Sequence, residues 1–528
     1  MTGVDPVTSE VIKSSLVYAS EEMGIAVRNS AYSPNIKERL DHSCALFDPD
    51  GRLIAQAEHI PVHLGSLPWG LRTTLGFLKG RNVRFASGDM WVVNDPYISG
   101  THLNDVTVIR PIFDNARLAG FAANKAHHTD LGGAAPGSMS ADATDLFAEG
   151  FIVPPIHLMQ RDEIVGDTIA LFRANSRAPE ARSGDLKAQI AGNITGERRL
   201  LELIRRYGPH TFEAAIERIL DESERRIRAE LRALGQGTFR AVDFLEDQHG
   251  DPTVRIQLGL TLCDGRAVLD YSGTSAQTTI PLNAVYGVTL SGVYYALRAV
   301  CDPTIPMNEG CFRPIDVCVP AGTLLNPLRP APVSGGNVET STRNADVVMQ
   351  ALAQAAPDRV PASSGGTMSN VMMGGLSNAG ESWAFYETNG CGMGARPNMD
   401  GIDGIQCHMT NTLNTPIEAI ERYYPLRITR YELAENTGGE GRFRGGCGLI
   451  RALELREGTC RVSLLADRHT LHPQGSLGGE AGACGVHMLQ QDRHSRKLPA
   501  KTTLNISPGD IIIVQTPGGG GYGVSMAK

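Results

Sequence analysis

Two histidines and an aspartate at the ends of strand-like sequence are the residues of this chain best placed to do chemistry. Gly100-Thr101-His102-Leu103-Asn104-Asp105 opens onto an apolar alternation, and a second alternation ends in Asn124-Lys125-Ala126-His127-His128-Thr129-Asp130. If the two runs are neighbouring strands, His102, Asp105 and His127 meet at one end of a sheet. Two imidazoles and a carboxylate suit Zn, Mn or Fe(II) and leave positions for water and substrate. Asp41, in Lys37-Glu38-Arg39-Leu40-Asp41-His42, can add a second carboxylate. A divalent cation held there lowers the pKa of its water and polarises a carbonyl. His128 and Asp130 follow closely, as a proton-transferring base and its orienter or as partners that fix a ligand's tautomer. A loop histidine bonded to an aspartate is a common structural pair, so the second histidine carries the weight. Glu149, Glu339 and His63 can each be explained by capping or backbone pairing in glycine-rich surroundings. Cys407-His408 lacks companion ligands in the nearby sequence.

The elements that must position these groups begin with a helix. Asp5-Pro6 is a capping residue followed by a first-turn proline, and Val11, Ile12, Leu16, Val17 and Met23 recur at helical spacing. Strand patterns then take over at 45–47 and 53–55, around the turn Asp48-Pro49-Asp50-Gly51, and at 91–93, 106–113 and 118–123. Apolar stripes on either side of Gly208-Pro209 predict a helical hairpin with Thr211 as a cap. Alternation returns at 237–272, helices are expected at 285–301 and 339–355, and short strands divided by glycines follow from 425. The expectation is an α+β, multi-domain chain with mixed sheets: a metal-site domain at 1–183, the hairpin at 184–236, a central α+β domain at 237–424 and a β-rich, glycine-rich region at 425–528.

Composition excludes several functions. The 528 residues are 41% hydrophobic and 20% charged, with a formal charge of -8, so no basic field is available to hold a nucleic acid. No apolar run approaches the roughly 18 residues of a membrane span, and no signal sequence opens the chain, which points to a soluble, cytoplasmic protein. Ten scattered cysteines without a Cys-x-x-Cys pair read as reduced thiols. Among 59 glycines, neither 437–448 nor 518–523 supplies the Lys-Ser/Thr of a P-loop, or a Gly-x-Gly-x-x-Gly between strand and helix. ATP binding by this chain is therefore not expected. No Gly-x-Ser-x-Gly elbow of a serine hydrolase is present.

Several blocks resemble the hydantoinase B/oxoprolinase family, the B-type subunits of ATP-dependent hydantoinases and lactamases. That family is also similar to the C-terminal half of 5-oxoprolinase and to a subunit of acetone carboxylase. The blocks are 33–39, 59–66, 94–97, Gly100 to Asp105, His127-His128-x-Asp130-x-Gly132-Gly133, 336–341, 411–418, 438–446 and 517–523. The resemblance implies that an A-type partner binds ATP and Mg and phosphorylates the amide oxygen of a small cyclic substrate. It implies metal ligands at His102, Asp105 and His127, with Asp41 as a fourth, and it sets His42 where an aromatic apolar residue is more usual. A phosphorylated imidate would decay in open water, so a heteromer with a sheltered passage is expected. Two other readings stay open, a subunit of an ATP-dependent ketone carboxylase and a non-catalytic scaffold.

Overall fold

A computed structural model describes residues 4–57, 59–492 and 494–525. Helix α1, Pro6–Ser30, starts as expected: Asp5 Oδ1 accepts from Val7 N at 3.1 Å and Oδ2 from Thr8 N at 2.9 Å. The short α2, Pro34–Lys37, leads into the hairpin of β1, His42–Phe47, and β2, Leu53–Gln56. Helix α3, His63–Gly80, comes next, an element that the sequence reading did not contain, with Pro68 inside it. Then follow β3, Met90–Val93; α4, Pro96–Ser99; β4, Asp105–Asp114; β5, Arg117–His127; α5, Leu146–Glu149; β6, Ile156–Gln160; and β7, Glu163–Ile164. These strands form one seven-stranded sheet in the order β2-β1-β5-β4-β3-β6-β7, antiparallel throughout.

Side chains alternate between the two faces of this sheet, and both faces are covered. Cys44, Leu46, Ala122 and Ala126 pack with Ile12, Leu16 and Met23 of α1. The same cluster takes in α7, Pro179–Tyr207, and α8, Pro209–Ala233, which the break at Gly208 separates, φ 78°. Helix α7 begins before the expected residue 184, and Gly208, not Thr211, stands at the N-cap of α8. Helix α6, Gly166–Ala174, supplies Phe172 beside Val106 and Val108. On the opposite face Ala45, Phe47, Ile109, Phe121 and Ala123 meet Leu67 and Leu71 of α3. That core continues through α9, Tyr286–Val300, and α10, Ser341–Ala355, to a second sheet. The second sheet runs β11-β10-β9-β8, from β8, Gly237–Leu245; β9, Val254–Cys263; β10, Arg266–Asp270; and β11, Ile315–Cys318. It is mixed, because β10 and β11 are parallel.

The remaining strands make two antiparallel sheets packed face to face. One is β13-β12-β16-β19: β12, Asn370–Leu376; β13, Ser382–Glu387; β16, Cys460–Leu465; and β19, Lys501–Ile506. The other is β14-β15-β20-β17-β18: β14, Leu426–Ala434; β15, Gly448–Leu455; β17, Val486–Gln491; β18, His494–Leu498; and β20, Ile511–Gln515. Val371, Trp383 and Phe385 face Leu453, Leu489 and Ile512 between them. Two strands that precede residue 425 thus complete the C-terminal β region, and the short helix α11, Ile417–Tyr423, joins the two parts. Beyond β20, the glycine-rich run 517–523 threads among neighbouring segments: Gly519 N donates to Gly446 O, Gly520 N to Ser363 O and Gly521 N to Glu480 O. A methyl group on Gly519 would stand 2.2 Å from Met393 O, so only glycine fits.

Candidate metal centre

Register brings the expected residues together. Asp105, first in β4, lies opposite His127, last in β5, and Asp105 N donates to His102 O across the turn before β4. His102 Nε2 is 3.1 Å from Asp105 Oδ1 and 3.2 Å from His127 Nδ1, and His127 Nδ1 is 3.3 Å from Asp105 Oδ1. Ligand atoms around a tetrahedral ion at about 2.0 to 2.1 Å stand about 3.3 Å apart, so the donor set matches a divalent cation in type and separation. Among the described residues, this is the group of three or more potential ligands that could hold a metal. It is buried, at 0% exposure for His102, 1% for Asp105 and 3% for His127. Asp41 stands one step out, its Oδ2 4.0 Å from His127 Nδ1, while its carbonyl accepts from His127 N at 3.0 Å.

The electrostatics follow from burial and from the shared carboxylate. Burial works to raise the Asp105 carboxyl, but His102, His127 and His63 around it win and hold it well below the usual range. Burial raises Asp41, against the pull of His127 and Arg39. The His127 ring is pushed down by burial, with Asp105 opposing. A neutral imidazole next to an ionised carboxylate is the protonation state that binds metal.

Side chains from distant segments complete the surroundings. His63, on the first turn of α3, places Nε2 3.3 Å from Asp105 Oδ2 and Nδ1 2.9 Å from Ser43 Oγ. Asn337, in a π-helical turn ahead of α10, reaches Asp105 Oδ2 at 3.5 Å. Tyr386 of β13 stacks on the His127 ring with centroids 4.6 Å apart, and the Arg39 guanidinium lies 4.8 Å from the centroid of the Tyr386 ring. Arg39 is fully buried and also donates to Tyr386 O and Asn35 Oδ1. Lys125, two residues before His127 and so on the same face, donates to Ser99 O at 2.8 Å and Thr101 Oγ1 at 3.0 Å, which ties down the loop that carries His102. Burial pushes the Lys125 ammonium down to about 7.

His128 and Asp130 are not brought to this group. Consecutive residues at a strand end point to opposite faces, and His128 turns to α7, where its Nε2 lies 2.9 Å from Gln189 Oε1. Asp130 organises a turn instead, accepting from Gly132 N, Gly137 N, Arg177 N and Arg177 Nη1. His42 also faces away, toward His59 at 5.0 Å, and burial pushes it down to about 3. Glu149 Oε1 accepts from Val333 N and Ser334 N, and Glu339 Oε1 from Met368 N and Asn370 Nδ2. The sequence reading missed Asn337, Tyr386 and Lys125. The period-two pattern of β5 could have found Lys125, but no local signal marks the other two.

A model of the hydantoinase B/oxoprolinase family matches residues 5–525. An uncharacterised protein of Methanocaldococcus jannaschii is 48% identical over 98% of this chain and 91% of its own. 5-Oxoprolinase 1 of Arabidopsis thaliana is 36% identical over 99% of this chain, which spans only 42% of that protein. A Pseudomonas protein named as the B-type component of a D-/L-hydantoinase is 34% identical, with 99% of this chain and 91% of that protein covered. Among solved structures, the ATP-dependent caprolactamase of Pseudomonas jessenii superposes with a TM-score of 0.92 at 32% identity, covering 99% of this chain and 91% of that one. Nucleotide-free acetone carboxylase gives 0.91 at 19% identity over 98% and 76%, a likeness of fold alone.

Proposed function

Because the chain belongs to the hydantoinase B/oxoprolinase family, we propose that it is the B-type subunit of an ATP-dependent cyclic amidohydrolase of the hydantoinase, oxoprolinase or lactamase kind, working in the cytoplasm. An A-type partner binds ATP and Mg and phosphorylates the carbonyl oxygen of a small cyclic amide; this chain opens the ring. The proposal is carried by the convergence of His102 Nε2, Asp105 Oδ1 and His127 Nδ1 within 3.3 Å in a buried position. These residues, with Asp41 as a fourth, would hold Zn, Mn or Fe(II). When bound, such a cation supplies a Lewis acid for the carbon centre and water of lowered pKa.

The protein's own groups supply positioning. Asp105 sets both imidazoles, and the Tyr386 ring fixes the plane of His127. His63 donates from Nε2 to the ionised Asp105 Oδ2 at 3.3 Å and accepts at Nδ1 from Ser43 Oγ at 2.9 Å, so it steadies the carboxylate that the other two imidazoles share. Water adds to the carbon of the phosphorylated amide, the ring nitrogen takes a proton and leaves, which opens the ring, and a second water hydrolyses the resulting acyl phosphate to carboxylate and phosphate. Burial of the centre keeps bulk water from the phosphorylated amide, which favours a passage shared with the partner. In this proposal His128 and Asp130 support the sheet and its loop.

The test is ATP turnover by the co-expressed pair in the presence of hydantoins, oxoproline, caprolactam, or acetone with bicarbonate. ATP hydrolysis coupled to ring opening, lost together with bound metal in His102→Ala, supports the proposal. Turnover only with ketone and bicarbonate would assign a carboxylase subunit, and full activity of a metal-free pair would leave this chain a scaffold.

A further inference from the structure

Cys407-His408 lies in irregular chain between β13 and α11 and takes no part in the metal centre. Cys391 and Ile405 are paired backbone to backbone, each N donating to the other's O at 2.9 Å. That pairing sets Cys407, two residues beyond Ile405, on the side of Cys391; Cys407 Sγ lies 3.5 Å from Ile405 O, and the Cys391 thiol and the Ser364 hydroxyl both act on its acidity. Cys391 is buried, whereas Cys407 keeps partial exposure. His408 adopts a left-handed backbone, φ 58°, with Nε2 3.1 Å from Asp346 Oδ1 and Nδ1 3.4 Å from Tyr295 Oη. Asp346 and His408 also line a cavity of about 320 Å3. Burial opposes charge on His408, but Asp346 outweighs it and makes the ring more basic than usual, and charge on that ring favours the thiolate of Cys407.

We propose that Cys407 and Cys391 are a hydroperoxide-reactive thiol pair, with Cys407 as the attacking sulfur and Cys391 as the resolving one. The asymmetry of the two sites fits these roles. Contact with Cys391 and the charge of His408 make Cys407 more acidic than an ordinary thiol against the effect of burial, while Cys391 is held well above the usual range by giving up its hydrogen to Cys407. A thiolate next to a cation is the reactive form. In the first step the Cys407 thiolate attacks one oxygen of a hydroperoxide. The O–O bond breaks, alcohol or water leaves after taking a proton, and Cys407 is oxidised to a sulfenic acid. In the second step the Cys391 sulfur attacks the Cys407 sulfur, the S–O bond breaks, and the hydroxyl leaves as water with the Cys391 proton. Two thiols and one hydroperoxide thus give one disulfide, one alcohol or water, and one further water. The segment that follows Cys407 packs against Val62 and Arg39: Val62 N donates to Met409 O, Leu413 N to Arg39 O, and Arg39 Nη2 to Thr412 Oγ1. Closing the disulfide therefore acts on the chain that packs against Arg39.

The experiment treats the purified protein, with its partner if the two co-purify, with hydrogen peroxide, blocks residual thiols, and cleaves at aspartate, since Asp400 and Asp403 separate the two cysteines. A Cys391 to Cys407 cross-link that forms while exposed Cys263 is still alkylatable supports the pair. Trapping of a dimedone adduct on Cys407 in Cys391→Ser supports the assigned roles. Should that variant fail to fold, dimedone competition during oxidation of the unaltered protein reads the same adduct. Oxidation of Cys263 and Cys318 while Cys391 and Cys407 remain alkylatable would overturn the proposal.

Discussion

Replacing Asp105 by Asn removes one charge at nearly constant volume, and the geometry allows the outcome to be worked out. Oδ1 faces His102 Nε2 and His127 Nδ1 at 3.1 and 3.3 Å, and Oδ2 faces His63 Nε2 and Asn337 Nδ2 at 3.3 and 3.5 Å. The asparagine carbonyl can keep one of these pairs; its amino group cannot accept for the other. Breaking a buried charged cluster in this way costs about 3 to 5 kcal/mol of fold stability. Loss of an anionic ligand weakens metal binding separately, by at least about 100-fold, the upper end of what even an outer partner of a ligand contributes. Reading the metal-dependent rise in melting temperature within each variant isolates the second effect. At free Zn or Mn equal to about 100 times the unaltered protein's Kd, binding stabilises that protein by about 2.7 kcal/mol. The same concentration equals the variant's Kd and stabilises it by only about 0.4 kcal/mol. The assay is a thermal-shift titration in buffered metal, with elemental analysis after gel filtration. Equal metal-dependent shifts and equal occupancy in both proteins would refute the assignment of Asp105 as a ligand.

Three further outcomes are expected. His63→Leu, which removes the donor to Asp105 Oδ2, should weaken metal binding about 10- to 100-fold; unchanged metal affinity in a titration would show that His63 does not steady the carboxylate. Burial, with Asp467 adding to it, pushes Glu339 up to about 8 from 4.5. Its folded form therefore favours the proton, and the stability it contributes is present below about pH 4.5 and lost as pH rises toward 8. Burial pushes the rings of His42, His127 and His128 down, and these work the other way below pH 6.5, so the readout is a difference: from pH 4.5 to 8 the unaltered protein should lose melting temperature relative to Glu339→Gln, and a constant difference between the two would show that Glu339 does not titrate there. Gly519→Ala forces a methyl group to 2.2 Å from Met393 O, so the variant should lose several kcal/mol, on the order of the larger single-residue losses, visible as a lower denaturation midpoint.

Local signals made the convergence of His102, Asp105 and His127 legible, because a strand that ends in His127 and one that begins with Asp105 pair through the short turn at 115–116. The β1–β2 hairpin and the capped start of α1 were legible for the same reason, as turn and cap residues act within a few positions. Helix α3 was not, since Pro68 and the glycines at 65, 70 and 76 read as breakers. Burial of Leu67 and Leu71 against the sheet outweighs those propensities. His128 turns to Gln189 on the other face, because a strand separates adjacent side chains by face and nearness in sequence to His127 does not carry over into space. Asn337 and Tyr386 reach the site from segments more than two hundred residues away, a separation that no periodicity records.

The threading of 517–523 bears on how the molecule is made. Ser363, Gly446 and Glu480 each accept a peptide hydrogen from that run, and they emerge from the ribosome before it. Until it arrives their carbonyls have no partner in that layer, so the surrounding sheets wait, half assembled, for that stretch to be synthesised. A nascent chain stalled just short of it exposes a groove of unsatisfied peptide groups, the kind of surface that chaperones hold and proteases cut.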